Sequence, residues 1–189
     1  MGSTITAEKA ALRREIRAFS LSPQEKAESD GLLLARFLAL PQVTAARTLL
    51  LFWGVGMEPD TSSLPDALTA RGKAVYLPRC LPQGRMEARQ YLGRDRLRPG
   101  AYGIPEPDGT CPVLDRDQLD LILVPNLCCD RRGCRLGQGG GYYDRYLSGY
   151  GGHTVALCRD ALLVPALPRE DHDRPVGWVL TETSLFTTG

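Results

Sequence analysis

The residues with the clearest chemical potential lie between Arg135 and Asp144, where four glycines precede two tyrosines and an aspartate. Glycine allows positive φ angles and a close approach of the backbone to a ligand. Successive free N–H groups in such a loop bind an anion, and a helix that begins after the loop adds its positive end. Asp144 then offers a carboxylate to a cation bound to that anion. The segment predicts a phosphate-binding loop with a magnesium ligand at its end.

Common nucleotide-loop patterns do not describe this segment. It lacks the Gly-Lys-Ser/Thr ending of a Walker A loop, and the spacing Gly137-x-Gly139-x-Gly141 differs from the dinucleotide fingerprint. A tight connection with aromatic packing around Tyr142 and Tyr143 is the structural alternative. Both interpretations stay open on these residues alone.

Charged side chains elsewhere suggest ligand contacts, and each has an ordinary alternative. Glu58 follows an apolar segment, where its carboxylate can bind a polar ligand edge or favour the start of a helix capped by Thr61 or Ser62. Lys9 and Arg13 share a basic helix face, which is also typical of a solvated surface. Asp173 is a candidate second magnesium ligand in an acidic loop, although a solvated role is the more usual one for such a loop.

The elements that must position these residues alternate between helices and apolar strands. The sequence predicts helices over residues 6–19 (capped by Thr6), 22–40 (with the cap pattern Ser22-Pro23-x-Glu25), 63–70 and 141–147. It predicts strands over residues 48–53, 74–77, 86–91, 120–124, 154–157 and 177–180, the last two being the final strands, with a loop over 93–117. This order indicates a three-layer α/β sandwich with a largely parallel central sheet flanked by helices, a Rossmann-like arrangement. Ligands bind at the carboxyl ends of such strands, where residues 53–58 and 125–144 lie.

Length and composition narrow the class of protein. A chain of 189 residues fits one domain, residues 1–189, and a net charge of +1 gives no reason to expect nucleic-acid binding. The sequence has no membrane-length apolar run and no signal-peptide pattern. Six cysteines without a C-x-x-C pair indicate reduced thiols that mostly fill the core. We therefore expect a cytoplasmic monomer that binds neither nucleic acid nor a membrane.

Several motifs occur across most of the chain in an order typical of one family. The most specific is Asp130-x-x-Gly133-x-Arg135-Leu136-Gly137-x-Gly139-x-Gly141-Tyr142-Tyr143-Asp144, preceded by Leu123-Val124-Pro125. The others are Lys9-x-x-Leu12-Arg13, Glu58-x-x-Thr61, the strand end Leu77-Pro78-Arg79 and Tyr102-Gly103-Ile104-Pro105-Glu106-Pro107. Together they resemble the 5-formyltetrahydrofolate cyclo-ligase family, also called methenyltetrahydrofolate synthetase.

The resemblance implies an enzyme that uses ATP and Mg²⁺ to cyclise 5-formyltetrahydrofolate, with one glutamate or several, to 5,10-methenyltetrahydrofolate. ADP and phosphate are released, and the formyl group is phosphorylated on the way. Implied ATP contacts come from Lys9, Arg13, Arg135, Leu136, Gly137, Gln138, Gly139, Gly140, Gly141, Tyr142 and Tyr143. Implied folate contacts come from Trp53, Glu58, Gln138, Gly139, Gly140, Gly141 and Tyr142. The resemblance also implies a catalytic set of Lys9, Arg13, Arg135 and Tyr142, with Asp144 and Asp173 as the Mg²⁺ ligands.

Some positions depart from the family pattern. Asn126 stands where glycine is usual, Cys128 and Cys129 replace a small residue and an aromatic one, and Gln138 replaces tyrosine or arginine. Residues 53–57 are also an unusual lead into the Glu58 motif. These departures concern the folate side more than the ATP side. Two alternatives therefore stay open: an inactive relative that binds folate or nucleotide, and an unrelated ATP-dependent kinase or ligase.

Overall fold

The elements are seen in a computed structural model that describes residues 2–188, with side chains from residue 4 onward. The helices are α1 (Gly2–Ala18), α2 (Pro23–Ala39), α3 (Pro41–Ala45), α4 (Leu64–Thr69) and α5 (Tyr142–Tyr146). The strands are β1 (Thr48–Leu50), β2 (Ala74–Leu81), β3 (Arg85–Gln90), β4 (Leu97–Pro99), β5 (Pro105–Pro107), β6 (Val113–Leu114), β7 (Leu121–Leu123), β8 (Cys128–Asp130), β9 (Arg135–Leu136), β10 (His153–Leu157), β11 (Leu163–Val164), β12 (Trp178–Leu180) and β13 (Leu185–Thr187). None of the helices in this part of the chain combines the length and apolar character needed to cross a membrane.

The central sheet has the strand order β13-β12-β10-β7-β1-β2-β3-β6 in the described residues. The strands from β12 to β2 pair in parallel, whereas β13, β3 and β6 are added antiparallel at the two edges. Parallel neighbours require crossover connections, so their carboxyl ends meet at one edge of the sheet. This edge carries the site described below.

Side chains alternate between two cores on opposite faces of the sheet. Leu49 of β1 packs with Phe37 of α2 and Leu68 of α4 on one face. Leu50, the next residue, packs with Ile16 of α1 and residues that follow α5 on the other. Fully buried parallel strands are expected to be apolar on both faces. The arrangement confirms the predicted three-layer α/β class with a largely parallel sheet.

Local signals for the helices were partly right. The capping box at Ser22 and Glu25 is present, and α2 begins at Pro23 as predicted. The prediction that Thr6 caps the first helix was wrong, because α1 begins at Gly2 and Thr6 lies inside it. The cap assigned to Thr61 or Ser62 was also wrong: the residue before α4 is Ser63, and the Thr61 hydroxyl instead accepts from the Gly54 N–H at 3.0 Å.

Several strands escaped prediction because they are short or polar. The prediction that the second strand ends before Pro78 was wrong. Strand β1 pairs with β2 only as far as Tyr76, so Pro78 lies beyond that pairing and faces β3 alone, where a proline is tolerated. The predicted loop over residues 93–117 contains the β4–β5 hairpin and the edge strand β6. A second sheet, β11-β8-β9, supports the glycine loop, and β13, not β12, is the last strand.

Candidate active site

A cavity of about 680 Å³ opens at the carboxyl edge of the central sheet. Trp53 follows β1, Asn126 follows β7, and the glycine loop runs from β9 into α5 across the opening. Helix α1 lies along another side and contributes Lys9 and Arg13. All of the sequence-predicted site residues line this one cavity: Lys9, Arg13, Trp53, Glu58, Arg135, Leu136, Gly137, Gln138, Gly139, Gly140, Gly141, Tyr142, Tyr143, Asp144 and Asp173.

The glycine loop presents donors that the chain itself does not use. Within the described residues, the N–H groups of residues 138–141 donate to no acceptor of the protein. Gly139 and Gly141 have φ angles of 106° and 66°, which favour glycine. The Arg13 Nε donates to the Gly137 carbonyl at 2.8 Å, and its guanidinium carbon would lie 3.5 Å from a Cβ placed on Gly139. A loop of open N–H groups beside a guanidinium fits phosphate oxygens.

Arg135 and Asp144 form an ion pair at the beginning and end of this loop. The Arg135 Nη2 lies 3.0 Å from the Asp144 Oδ1, and the arginine side chain is only 4% exposed. The same carboxylate oxygen accepts from the Arg174 N–H at 3.1 Å. The Arg135 Nε is buried and has no partner in the described structure. Because an unsatisfied buried donor is costly, this atom points to a missing acceptor such as a ligand oxygen.

Lys9 is held by two carboxylates rather than left open for a ligand. Its Nζ lies 2.8 Å from the Glu170 Oε2 and 2.5 Å from the Asp173 Oδ2. Burial alone would lower the lysine pKa, but the bonds to Asp173 and Glu170 raise it above its ordinary value. Burial would likewise raise the pKa of Asp173, and the Glu170 N–H and the Lys9 ammonium lower it instead. All three groups are therefore charged at neutral pH.

The two carboxylates predicted to bind Mg²⁺ each keep one oxygen without a hydrogen bond. Asp144 uses Oδ1 and Asp173 uses Oδ2, whereas the other oxygen of each accepts no hydrogen bond from the part of the chain described here. Asp173 also clusters with Glu170 and His172, whose possible ligand atoms lie within 4.8 Å of one another, and Asp144 stands outside this group. Carboxylate oxygens near a phosphate loop fit a hard cation such as Mg²⁺.

Glu58 lines the same cavity and has no cationic partner in the described residues. Its Oε2 accepts from the Val55 N–H at 3.1 Å, and the residue is 8% exposed. Burial raises its pKa above the ordinary value, although hydrogen bonds from Val55 and Gln138 act in the other direction. Trp53 lies nearby on the cavity wall, with the Arg94 guanidinium 5.7 Å from its ring centre. A desolvated carboxylate beside a flat aromatic surface suits a planar ligand with N–H donors.

The positions that depart from the family pattern have different surroundings. Asn126 lines the cavity, but its amide donates to the Leu157 carbonyl at 2.9 Å and joins the ends of two strands. Cys128 and Cys129 lie fully buried in β8 and do not line the cavity. All six cysteines are free thiols, of which only Cys80 is partly exposed, as the core interpretation predicts. Gln138 also lines the cavity, and its side chain lies near enough to Glu58 to lower the pKa of that carboxyl.

Three further residues line the cavity that the sequence analysis did not assign to the site: Arg17, Glu106 and Glu170. Glu170 was passed over although it lies three residues before Asp173, and Arg17 donates to Gln138 at 3.1 Å. Glu106 is buried and accepts from the Cys80 and Ala101 N–H groups at 3.3 and 3.2 Å. The glycine at position 100 was the available signal, since a Cβ there would lie 2.1 Å from the Glu106 carboxyl carbon.

The chain is similar to known proteins over nearly its whole length. Residues 5–182 match the family model described as the 5-formyltetrahydrofolate cyclo-ligase family. The 5-formyltetrahydrofolate cyclo-ligase of Escherichia coli K12 is 32% identical, with 90% of this chain and 97% of that protein covered. The mouse enzyme of the same name is 30% identical, with 96% and 97% covered.

Solved structures agree with this assignment. The NMR structure of Aquifex aeolicus 5,10-methenyltetrahydrofolate synthetase matches with a TM-score of 0.85 at 26% identity and covers 95% of this chain and 92% of that one. A synthetase from Mycoplasma pneumoniae shares the fold, with a TM-score of 0.73 at 19% identity over 91% of this chain and 97% of that chain. These matches confirm the resemblance, the predicted fold class and the prediction of a ligase. The chain belongs to the 5-formyltetrahydrofolate cyclo-ligase family.

Proposed function

We propose that this enzyme converts 5-formyltetrahydrofolate and ATP to 5,10-methenyltetrahydrofolate, ADP and phosphate in a Mg²⁺-dependent reaction. The observation that carries the proposal is the division of one cavity into two unlike ends. Unused N–H groups and cations meet at residues 135–144, whereas a buried carboxylate and an indole lie at Glu58 and Trp53. The first end suits a triphosphate and the second a pterin.

The chemistry begins at a poor leaving group, the formyl oxygen on N5 of the folate. Attack of this oxygen on the γ-phosphorus of ATP forms the new P–O bond and releases ADP, which leaves an imino-phosphate. N10 then attacks the activated carbon, the C–O bond breaks, and phosphate leaves with the former formyl oxygen. Loss of the N10 proton completes the methenyl bridge.

Phosphoryl transfer depends mainly on positioning and charge neutralisation. The N–H groups of residues 138–141 and the unpartnered Arg135 Nε would donate to the phosphate oxygens. Arg13 already lies against the loop and would add charge at the same oxygens. Lys9 would have to leave Asp173 or Glu170, at least in part, to reach a phosphate. Tyr142, with the Arg145 guanidinium 5.7 Å from its ring centre, would hold the loop over the reacting groups.

Asp144 and Asp173 are the residues that would hold Mg²⁺, through the oxygens that accept no hydrogen bond in the described structure. The metal would neutralise phosphate charge. Asp144 fixes Arg135 at the same time, so the metal and the guanidinium would share one carboxylate. If Lys9 moves toward the phosphate, Asp173 would bind Mg²⁺ in place of the Lys9 ammonium.

Glu58 and Trp53 would orient the pterin ring of the folate. A carboxylate accepts paired N–H bonds from a pterin edge, and the buried setting strengthens them. Gln138 and residues 139–142 border both ends and would contact the folate as the loop covers it. The proposal includes a cytoplasmic monomer that accepts folates with one glutamate or several and binds neither nucleic acid nor membrane.

The test is a spectrophotometric assay for the near-ultraviolet band of methenyltetrahydrofolate. The purified protein is mixed with 5-formyltetrahydrofolate, with ATP and Mg²⁺ present together, each omitted in turn, or both absent. We expect the band only when both are present. A protein that binds the folate by calorimetry but forms no band would be an inactive member of the family, and ATP turnover without folate binding would indicate a member with a different ATP-dependent activity.

A further inference from the structure

Residues 54–59 form the loop that carries Glu58, and hydrogen bonds within the loop close it. The Glu58 N–H donates to the Val55 carbonyl at 3.1 Å, and the Glu58 carboxylate accepts from the Val55 N–H at the same distance. A Cβ at Gly54 would lie 1.9 Å from the Pro59 carbonyl oxygen, so the two ends of the loop touch. These bonds set the shape of the loop, but they do not fix its place relative to the sheet.

Arg159, which follows β10 at the carboxyl edge of the central sheet, connects the loop to the sheet. Its Nε and Nη2 both donate to the Met57 carbonyl, at 3.3 and 3.2 Å, one residue before Glu58. The arginine is 2% exposed. It also lines a smaller cavity of about 320 Å³, which adjoins the large one and shares Glu58 and Asn126 with it. A buried guanidinium therefore reaches the peptide that carries the folate-side carboxylate.

The remaining donors of Arg159 join this peptide to helix α2 and to the end of β12. Nη2 lies 2.6 Å from the Asp30 Oδ1, and the other oxygen of Asp30 pairs with Lys26 at 2.6 Å. Nη1 donates to the Ser29 hydroxyl, which in turn donates to Glu182. Arg159 thus joins the loop to α2 directly and, through Ser29, to the end of β12. A planar fork with several donors can do this, and a lysine ammonium cannot match its geometry.

We propose that Arg159 is a positioning residue for the folate side of the site: it holds the Met57 carbonyl and thereby sets where the Glu58 carboxylate meets its ligand. The inference rests on the proposed function, because it takes Glu58 as a folate contact. Arg159 contacts the loop at the Met57 carbonyl and does not line the large cavity. Its effect on the reaction is therefore expected in the Michaelis constant for folate and not in that for ATP.

Two variants separate position from folding. Arg159→Lys keeps a cation beside Asp30 but loses the forked set of guanidinium donors. The double variant Arg159→Met/Asp30→Leu removes both members of the buried ion pair together, a change that folded proteins often tolerate. We expect either variant to raise the Michaelis constant for 5-formyltetrahydrofolate about tenfold and that for ATP less than about twofold. The matched control is Arg89→Met, which removes an arginine that donates to the Gly109 and Cys111 carbonyls at 2.7 Å and does not line the cavity.

A double-mutant cycle with Glu58→Gln distinguishes positioning from general loosening. If Arg159 acts through Glu58, its substitution costs little more once the carboxylate is gone, and the two effects do not add. Effects on the folate Michaelis constant that multiply would overturn the proposal. So would an equal change for ATP and folate, or a change as large in the Arg89→Met control.

Hydrogen exchange gives a measurement that does not depend on the reaction. Peptides that cover residues 54–59 should exchange faster in the Arg159 variants than in the wild type, and the glycine loop should be unchanged. Unchanged exchange over residues 54–59 would contradict the proposal even in a fully active enzyme. If the wild type formed no methenyl product, the proposed function would fail while this readout would still decide the role of Arg159.

Discussion

The two ends of the cavity are built by different chemistry. At the phosphate end, opposite charges of the site bind one another: Lys9 pairs with Asp173 and Glu170, and Arg135 pairs with Asp144. At the folate end, Glu58 has no cation in the described structure and is held by N–H groups and by the loop that Arg159 supports. Under the proposed function, the charged groups of the first end would exchange partners when ATP binds, whereas Glu58 would already be in place for the folate.

Under the proposed function, this difference would let one cavity bind two unlike substrates. Buried charges are costly unless they are paired, so the cations and carboxylates of the phosphate end neutralise one another before ATP and metal bind. A single carboxylate aimed at a neutral ring needs no such exchange and gains from being fixed in advance. Substitutions at the two ends should therefore affect different substrates.

The largest effect is expected at Asp144. Asp144→Asn keeps the shape of the side chain but removes the charge that pairs with Arg135 and would hold Mg²⁺. We expect turnover to fall about a thousandfold. The melting temperature should fall as well, because the buried Arg135 guanidinium loses its charged partner, but the far-ultraviolet spectrum at the assay temperature should be that of the folded protein. Steady-state assays and circular dichroism test this, with Asp117→Asn on the surface as the control. Near-normal turnover would contradict the proposal that Asp144 binds Mg²⁺.

Lys9 should have the next largest effect, confined to ATP. Lys9→Met removes the ammonium that would move from Asp173 to phosphate, and we expect ATP to bind about thirtyfold more weakly. The affinity for folate should not change. Calorimetric titrations of both ligands measure this, and Lys73→Met is the matched control because that ammonium only donates to the Thr44 and Ala46 carbonyls. A comparable loss for folate would mean that the two ends are not separate.

Glu58 should give the reverse pattern. Glu58→Gln replaces a desolvated carboxylate by a neutral amide and should weaken 5-formyltetrahydrofolate about tenfold, with ATP within a factor of about two. The same two titrations apply. Equal losses for both substrates would contradict a folate-side role.

The smallest effect concerns stability and its dependence on pH. Burial raises the folded-state pKa of Glu58 above its ordinary value of 4.5. The protonated carboxyl therefore contributes its full stabilisation of the fold at pH values below 4.5. The contribution is lost as the pH rises through the raised pKa. Glu58→Gln should therefore melt at a higher temperature than the wild type at neutral pH, and the difference should disappear in acid. A lower melting temperature for the variant at neutral pH would show that the carboxylate stabilises the fold.

The phosphate end was more predictable from sequence than the folate end, and the reason is physical. Residues 135–144 are contiguous, and glycines followed by Asp144 carry local backbone and charge signals. The support of Glu58 comes from residues far apart in the chain, such as Asp30 and Arg159, which meet only through β10 and α2. No local pattern marks such a contact.

The same distinction holds for the fold. Continuous apolar segments such as β7 predicted the buried parallel strands, and the cap at Ser22 predicted the start of α2. Short strands such as β8 and β9 were missed because they consist of two or three residues whose pairing depends on tertiary contacts. Asn126 looked like a substitution on the folate side, whereas its amide bonds a strand end.

In the proposed reaction, ATP and the folate meet at the formyl oxygen, and an isotope-transfer experiment follows that atom. 5-Formyltetrahydrofolate labelled with oxygen-18 in the formyl group is converted with unlabelled ATP, and the released phosphate is examined by mass spectrometry. We predict one labelled oxygen in each phosphate formed. Methenyltetrahydrofolate formed with unlabelled phosphate would contradict it, because the formyl oxygen would then have left without ever bonding to phosphorus.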